Sequence, residues 1–347
     1  MEGRKPLTYE SAGVKGLGKD KSAKNFSSLH STHVFAKGRL VQTPFGILYE
    51  VSPGVFNAKC CDGVGTKTLV AELAGKHDTI GIDAVAMVAN DCIRTGAFPY
   101  ALTNVIDASD PSIELVSSIL QGLAEGARQA ECPIVGGETA SMPDMLSGYF
   151  INCDCVGEVK EGQIIDGGGI EPGDAIVGLR SSGVHSNGIS LARHALFSKW
   201  GGKYGAFEKV DGLERELALE VLTPTRIYVK AFKALVKKVR PKAAVHITGD
   251  AYSKFLSSFG GGKLGFEFDN FSPQPIFEVI REAGEIGEKE MFRRFNMGWG
   301  FAVIVAKEDA PAAVGALNAA GEQSEIIGGV DDSGRASVTY GMKQIVL

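Results

Sequence analysis

The sequence predicts a two-domain protein of the α/β (α+β) class, and three observations support this. The chain has 347 residues, which exceeds the roughly 250–300 residues at which a single hydrophobic core stops growing. Apolar residues form 44% and charged residues 22% of it, as in ordinary globular proteins. Short β-type runs alternate with helical patterns, and a glycine-rich stretch near residues 165–174 interrupts them. We therefore expect an N-terminal arm (1–40), a first domain (41–168) and a second domain (169–347).

The N-terminal arm has little apolar periodicity. It carries several glycines and scattered lysines at positions 15, 19, 21 and 24. This composition predicts a flexible segment, and both a lid over a ligand and simple disorder fit it.

The elements of the first domain follow from its β-type runs and its helical periodicity. The predicted strands are 47–51, 55–60, 100–106 and 150–159, and the predicted helices are 83–95 and 112–130. Ser109 and Asp110 precede Pro111, which is the order of capping residues and proline at a helix start. Apolar residues then recur every four positions, at Leu115, Ile119 and Leu123, which predicts an amphipathic helix.

The second domain shows the same alternation. A strand is predicted at 175–179, another run ends at His246, and further strands are predicted at 263–268 and 301–305. Helical patterns cover 190–198, 214–221, 225–239 and 311–320. No short-period repeat is evident.

Composition excludes several classes of function. No run of 18 apolar residues is present, so we expect no membrane span, and the start lacks the apolar core of a secretory signal. A net charge of −5 argues against a nucleic-acid partner. The six cysteines lack the paired spacing of a zinc site. We expect a cytoplasmic protein with reduced thiols.

The most informative motif follows the strand predicted at 55–60. Asp62 is followed by Gly63, Gly65, Thr66 and Lys67. Two glycines allow the backbone to approach a ligand closely, while the carboxylate can bind a metal and the lysine can neutralise a phosphate. The spacing is neither that of a P-loop nor GxGxxG. It nevertheless predicts nucleotide binding.

Two further acids occur beside a helix end and a predicted glycine turn. Asp91 lies near the end of a helical segment, and Glu138 follows Gly136 and Gly137 after an apolar run. Mg²⁺ prefers oxygen ligands and often bridges carboxylates to substrate phosphates. If folding brings Asp62, Asp91 and Glu138 together, they form a magnesium–ATP site. The alternative is that each acid only forms a turn.

A second group of polar residues occupies 181–188, between a predicted strand and a helix. Its candidate ligands for a substrate phosphate are Ser182, Gly183, His185, Ser186 and Asn187. Backbone amides at a helix start form an anion site, and a histidine can move a proton near neutral pH. The alternative is a structural turn in which Ser186 or Asn187 caps the helix.

Three weaker candidates follow along the chain. Arg226 lies in the first turn of a predicted helix, where a cation is unfavourable for the helix dipole, so it contacts either a ligand or a surface carboxylate. His246 ends a β run and is either a proton acceptor or a satisfied half-buried histidine. The turn at 293–300 combines cations, an amide and glycines, and it is either ligand-facing or structural.

These motifs, in this order, resemble the aminoimidazole ribonucleotide synthetase (phosphoribosylformylglycinamidine cyclo-ligase) family over about residues 8–330. The matching segments are YESAGV at 9–14, DGVGTK at 62–67, HDTIGIDAVAM at 77–87, Asn90-Asp91, GGETASMP at 136–143, SSGVHSNG at 181–188, LTPTRIYVK at 222–230 and FNMG at 295–298. DGVGTK alone indicates only the wider superfamily of ATP-using relatives, whereas the other segments resemble this family more narrowly.

The resemblance implies two α/β domains, with N-terminal domains pairing into a dimeric β-barrel, hence a homodimer. It also implies ATP-dependent ring closure of formylglycinamidine ribonucleotide to aminoimidazole ribonucleotide, ADP and phosphate in purine biosynthesis, through phosphorylation of the formyl oxygen. ATP and Mg²⁺ would bind at Asp62, Asp91 and Glu138, with Lys67 near the phosphates and Lys67 and His185 as catalytic candidates. The residues at 182–187 would hold the substrate phosphate.

Two departures from the family pattern occur. A glycine-rich HLTGGGF-type turn is expected where this chain has HITGDAYSKF at 246–255. Residues 31–52 also lack the longer glycine-rich stretch of the family. The first change alters that turn and leaves open whether it contacts the substrate directly, and the second would change how any lid closes.

Several other functions are also compatible with the sequence. Among superfamily relatives, the hydrogenase maturation dehydratase carries a C-terminal cysteine, whereas this chain ends at Leu347. A selenophosphate synthetase needs a reactive cysteine or selenocysteine in its arm, and residues 1–59 contain no cysteine. Thiamine monophosphate kinase and a non-catalytic ATP-binding subunit are the remaining alternatives.

Overall fold

The computed structural model describes residues 6–14 and 28–347. The arm lysines at 15, 19, 21 and 24 lie outside these residues. None of the described helices combines the length and the apolar character needed to cross a bilayer.

The first domain contains a six-stranded sheet. Its strands are β1 Leu40–Thr43, β2 Gly46–Ser52, β3 Val55–Gly63, β4 Phe98–Ala108, β5 Ile134–Ser141 and β6 Tyr149–Lys160. The spatial order is β1-β2-β3-β6-β4-β5. All neighbours run antiparallel except β4 and β5, which are parallel.

Helices α2 Ile80–Ile93 and α3 Ile113–Ala130 cover one face of this sheet, and α1 Lys67–Ala74 packs against α2 and the second domain. Ser112 caps α3 by accepting the Leu115 N–H at 3.2 Å, which satisfies one of the unpaired donors at a helix start. Helix α2 is buried along nearly its whole length because the sheet, α3 and the second domain surround it. Such a helix is apolar on all sides apart from its functional polar residues.

The opposite face of the first sheet is open. Residues along β6 alternate between buried and accessible positions, as expected for a sheet with one covered face. The open face exposes large apolar side chains, including Val105 at 39% and Phe150 at 48%. Within one chain this surface has no cover among the described residues.

The second domain contains a seven-stranded sheet. Its strands are β7 Ala175–Arg180, β8 Ala243–His246, β9 Gly265–Phe268, β10 Trp299–Val305, β11 Ser324–Asp331, β12 Ala336–Tyr340 and β13 Lys343–Val346. The order is β13-β12-β9-β11-β7-β10-β8, and only β12 and β9 pair in parallel. Its helices are α4 Ile189–Leu196, α5 Leu217–Val221, α6 Val229–Leu235, α7 Ser253–Phe259, α8 Pro275–Ala283, α9 Glu288–Arg294 and α10 Ala310–Ala319.

Three local predictions were wrong. Ser109 and Asp110 do not cap α3, and Pro111 lies before its first turn, because Ser112 is the capping residue. The helix predicted at 225–239 begins only at Val229, because the N–H and hydroxyl of Thr225 both bind Asp83 and so hold the preceding segment extended. The glycine turn predicted at Gly136 and Gly137 is part of strand β5. A Cβ on Gly137 would lie 2.8 Å from Asn104 Nδ2 on the neighbouring strand, so this glycine permits close strand packing.

Candidate functional site

Helix α2 forms the polar junction between the two domains. Asp83 and Asn90 are seven residues apart, which is close to two helical turns and places both on one face. Asn90 Nδ2 donates to the Arg226 carbonyl at 2.9 Å, and the Tyr228 N–H donates to Asn90 Oδ1 at 3.0 Å. Asn90 thereby fixes the segment before α6 against the first domain.

Lys67 is sealed inside this junction. Its Nζ lies 2.9 Å from Asp83 and 2.8 Å from the Thr223 carbonyl, and both charged side chains are fully buried. Asp83 also accepts from Ser186 Oγ and from Thr225, so the buried charges are extensively hydrogen-bonded, as they must be. Burial lowers the pKa of Lys67 while Asp83 opposes this shift. Lys67 therefore joins the domains and does not face an open site.

The glycine turn before Lys67 allows other groups to come close to its backbone. A Cβ on Gly63 would lie 2.2 Å from Asn152 Oδ1, and Gly65 has a φ of 61° with open space beside its Cα. Thr66 reaches across the junction, with its Oγ1 3.0 Å from Ser190 Oγ. Only glycine adopts such backbone angles without strain and leaves the backbone accessible.

Asp62 and Asp91 lie at the edge of the junction, where the charge of Asp91 acts on Asp62. Asp62 lies near the end of β3 and is exposed, and Asp91 lies near the end of α2. Loss of hydration, assisted by the negative charge of Asp91, raises the pKa of Asp62 although the Gly63 N–H opposes it. Two carboxylates repel each other when both are ionised, and a bound cation would offset that repulsion. Their oxygen donors are those that Mg²⁺ prefers.

Two side chains, His246 and Arg94, orient Asp91, and no sequence motif links either of them to this acid. His246 Nδ1 lies 2.9 Å from Oδ1, and Arg94 lies 2.8 Å from Oδ2. Burial opposes ionisation of Asp91, but the hydrogen bond with His246 and the charge of Arg94 outweigh it and lower its pKa. Asp91 therefore remains an anion with a fixed orientation.

Glu138 does not join these acids within one chain. The register places Asp62 in one row with Cys153, Asn104 and Gly137. Glu138 is one residue further and therefore lies on the opposite face, since successive side chains alternate. Three strand spacings also separate the two acids by roughly 14 Å. Of the three predicted metal ligands, Asp62 and Asp91 interact electrostatically within one chain, and Glu138 is separate from them.

The loop at 181–188 lies beside this junction and is held by internal hydrogen bonds. Ser182 Oγ donates to the Pro224 carbonyl, and Ser186 Oγ donates to Asp83. Asn296 Nδ2 donates to the Gly183 carbonyl at 2.8 Å, which gives the turn at 293–300 a supporting role. The serine hydroxyls are thus already engaged, while Asn187 Nδ2 is buried without a partner among the described residues.

In their neutral forms, His185 has an unused donor nitrogen and His246 has an unused acceptor nitrogen. His185 has a φ of 62°, and its Nε2 accepts the Ser182 N–H at 3.1 Å, so a neutral ring carries its proton on Nδ1. A neutral His246 that donates Nδ1–H to Asp91 keeps a lone pair on Nε2. His185 Nδ1 and His246 Nε2 are both buried and have no hydrogen-bond partner among the described residues. Burial lowers the pKa of both rings, which favours their neutral forms.

Arg226 forms an ion pair with an acid of the second domain. Its guanidinium lies 3.0 Å from Glu322. The ordinary ion-pair alternative therefore accounts for its contact in this structure.

The altered turn after His246 retains the backbone shape that glycines would favour. Asp250 and Ala251 have φ values of 63° and 37°. This left-handed region costs most residues about 1–2 kcal/mol, although aspartate tolerates it better than alanine. Lys254 spans the turn, because its Nζ donates to the His246 carbonyl at 3.0 Å and to Thr248 Oγ1. Sequence reasoning missed this lysine because no motif contains it.

The fold and the site together define a two-domain α/β protein with paired carboxylates and a polar loop at its domain junction. Residues 47–159 match the AIR synthase related protein N-terminal domain, and residues 171–341 match the corresponding C-terminal domain. The chain therefore belongs to the AIR synthase related family.

Individual relatives agree with this assignment. The phosphoribosylformylglycinamidine cyclo-ligase of Methanocaldococcus jannaschii is 40% identical, with 98% of this chain and 99% of that protein covered. That of Thermococcus kodakarensis is 40% identical, with 97% and 99% covered. A structure of the hydrogenase maturation protein HypE in complex with ATP has a TM-score of 0.60 at 17% identity, covering 96% of this chain and 95% of that chain, which shows a shared fold.

Proposed function

We propose that this protein catalyses the ATP-dependent closure of formylglycinamidine ribonucleotide to aminoimidazole ribonucleotide, ADP and phosphate. The observation that carries this proposal is the near-complete alignment, at 40% identity, with proteins named for that reaction. The junction supports it, because the Asp62–Asp91 pair and the loop at 181–188 supply the two kinds of site that a nucleotide and a sugar phosphate require.

The reaction makes modest demands on the protein. An amide oxygen is a poor leaving group, so ATP transfers its terminal phosphoryl group to the formyl oxygen. A neighbouring nitrogen of the same substrate then attacks the activated carbon, and phosphate departs with the former formyl oxygen. Positioning and charge neutralisation dominate phosphoryl transfer. Ring closure is intramolecular and needs no protein nucleophile.

The residues of the junction suit these steps. Asp62 and Asp91 would hold Mg²⁺ with the nucleotide, and the ion would neutralise phosphate charge. His185 Nδ1–H and Asn187 Nδ2 are unused donors for a phosphate on the substrate. His246 Nε2 is an unused acceptor, so we assign it the proton released when the ring closes. Asp91 would hold that ring in the required tautomer.

The complete site would require two copies of the chain. Glu138 and Asp62 lie on opposite faces of one sheet, so a single chain leaves this acid separate. Apolar side chains such as Phe150 on the open face favour burial against a second copy. A homodimer would pair the two open faces into a barrel. Glu138 of one protomer would then join the acids of its partner at the rim of the barrel, where Asp62 is exposed near the end of β3. The six free thiols suit the reducing cytoplasm.

The direct test is release of phosphate from ATP with three reaction mixtures. These contain formylglycinamidine ribonucleotide, thiamine monophosphate or no second substrate. The proposal predicts release only in the first mixture, together with formation of aminoimidazole ribonucleotide. Release with thiamine monophosphate would assign the protein to the kinase class, and nucleotide binding without turnover in any mixture would indicate a non-catalytic subunit.

A further inference from the structure

Lys254 is a cation at the junction that keeps a free hydrogen-bond donor and has no carboxylate partner among the described residues. Its ammonium group has three N–H donors, of which one bonds the His246 carbonyl and one bonds Thr248 Oγ1. No partner for the third occurs among the described residues, and no carboxylate in that part of the chain is within ion-pairing distance. The side chain lies in the first turn of α7.

The other cations of this region already have partners. Lys67 is sealed with Asp83, and Arg226 pairs with Glu322. Arg94 pairs with Asp91 and stacks on the ring of Phe45 at 4.3 Å. The phosphate counter-charge that the sequence assigns to Lys67 must therefore come from another residue.

Lys254 lies within the electrostatic field of the candidate nucleotide site. The charges of Asp91, Asp250 and Asp62 all act on it, and its own charge acts on Asp91 and His246. Two fixed acceptors hold the ammonium, so it needs little reorganisation to bind an anion. Such preorganisation makes an electrostatic contact most effective.

We propose that Lys254 donates its remaining N–H to the terminal phosphate of the nucleotide held at Asp62 and Asp91. This proposal rests on the proposed function. The contact neutralises charge on the phosphoryl group that is transferred. It also explains how this chain uses a turn whose glycines are replaced, because Lys254 both braces the turn and supplies a cation.

The protonation state of Lys254 agrees with this role. Burial and the charge of Arg94 lower its pKa to about 8, although Asp91, Asp250 and Asp62 oppose the shift. The ammonium form therefore predominates at pH 7. A phosphate beside it would stabilise that form further.

Equilibrium calorimetry with Mg²⁺ and either a non-hydrolysable ATP analogue or ADP tests the proposal. Lys254→Met is expected to weaken binding of the triphosphate roughly 10- to 100-fold, the range for a hydrogen bond to a charged group. Binding of ADP should change less than about threefold. Lys263→Met, which removes an exposed lysine, is the matched control and should bind both nucleotides as the wild type does.

Each other outcome has a distinct meaning. Equal weakening of both nucleotides, or no weakening, overturns the proposal, and so does a loss confined to binding of formylglycinamidine ribonucleotide. Lys254→Gln keeps a donor for the His246 carbonyl and gives the same test if Lys254→Met does not fold. If the wild-type protein binds neither nucleotide, the proposed function itself fails, which separates the two conclusions.

Discussion

Two groups at the domain junction contain the same residue types but differ in access to solvent. In the first, Lys67 and Asp83 are fully buried and bind each other. In the second, the charges of Asp62 and Asp91 act on Lys254 without a direct ion pair, and Asp62 is exposed. A lysine in a nucleotide-type motif can therefore form a structural ion pair and not contact the ligand. The cation available to a ligand is the one that is held by neutral acceptors and not by a carboxylate.

The difference follows from how each carboxylate is satisfied. Asp83 Oδ1 accepts hydrogen bonds from Lys67, Ser186 and Thr225, and Oδ2 lies 2.9 Å from Lys67 Nζ, so the charge of this acid is already neutralised by a lysine. Asp62 is hydrogen-bonded by the adjacent Gly63 N–H. Removing a residue from the first group should therefore affect folding, while removing one from the second should affect binding and turnover.

The largest effect on stability is expected for Lys67→Met. It leaves Asp83 as a buried charge without its cation, which costs about 3–5 kcal/mol in free energy of unfolding. Urea unfolding followed by circular dichroism measures this. Lys59→Met is the control, because Lys59 is 71% exposed and 3.6 Å from Asp154, and it should change stability by less than about 1 kcal/mol. An unchanged midpoint in Lys67→Met would show that the buried pair does not hold the junction.

Asp62→Asn should lower ATP-dependent phosphate release at least about 100-fold, equivalent to roughly 2.7 kcal/mol, because one metal-binding charge is lost. Its thermal transition should stay within about 2 °C of the wild type, since the side chain is exposed. Asp154→Asn removes a carboxylate from the adjacent strand β6 and should retain activity. Full turnover in Asp62→Asn with a normal transition would refute the assignment of this acid.

A pH-dependent loss of stability is expected from His185. Folding lowers its pKa well below 6.5, so the unfolded chain binds a proton that the folded chain excludes. The free energy of unfolding therefore falls as pH drops below about 6.5, by up to about 1.4 kcal/mol per pH unit for this group. His185→Asn, which tolerates the left-handed backbone, should show a shallower decline between pH 7 and 5.5 in urea unfolding. Equal slopes for both proteins would contradict this origin.

The smallest effect is expected in the altered turn. Ala251→Gly relieves a φ of 37° and should raise the free energy of unfolding by about 0.5–1 kcal/mol, after the entropy cost of glycine in the unfolded chain. Ala313→Gly in helix α10 is the control, because Ala313 is also fully buried and glycine there should destabilise by about 1 kcal/mol. A loss of stability in both variants would show that residue 251 is unstrained.

The sequence predicted much of the fold. The two α/β domains and the amphipathic helix α3 follow from periodicity and turn chemistry. Helix α6 was predicted too long because Thr225 bonds Asp83, a residue 142 positions earlier. Local propensity contains no information about such a long-range contact.

The candidate site was less predictable for a similar reason. Asp83 is a structural residue because side chains from the other domain bind it. Lys254 is oriented by a hydrogen bond to the His246 carbonyl, eight residues earlier. Glu138 was grouped with Asp62 because both are acids beside glycines. Their separation depends on strand order and on a register offset of one residue, which only the folded sheet defines.

The most direct test of the account concerns the convergence of the acids across two chains. Asp62→Asn and Glu138→Gln, each inactive alone, are co-expressed at equal levels with different tags, and phosphate release is measured on the purified mixture. Random pairing gives half mixed dimers with one intact site each, so recovery of about a quarter of wild-type activity is predicted. Activity that stays at the level of the single variants, or full activity of Glu138→Gln alone, would contradict a site shared between two copies.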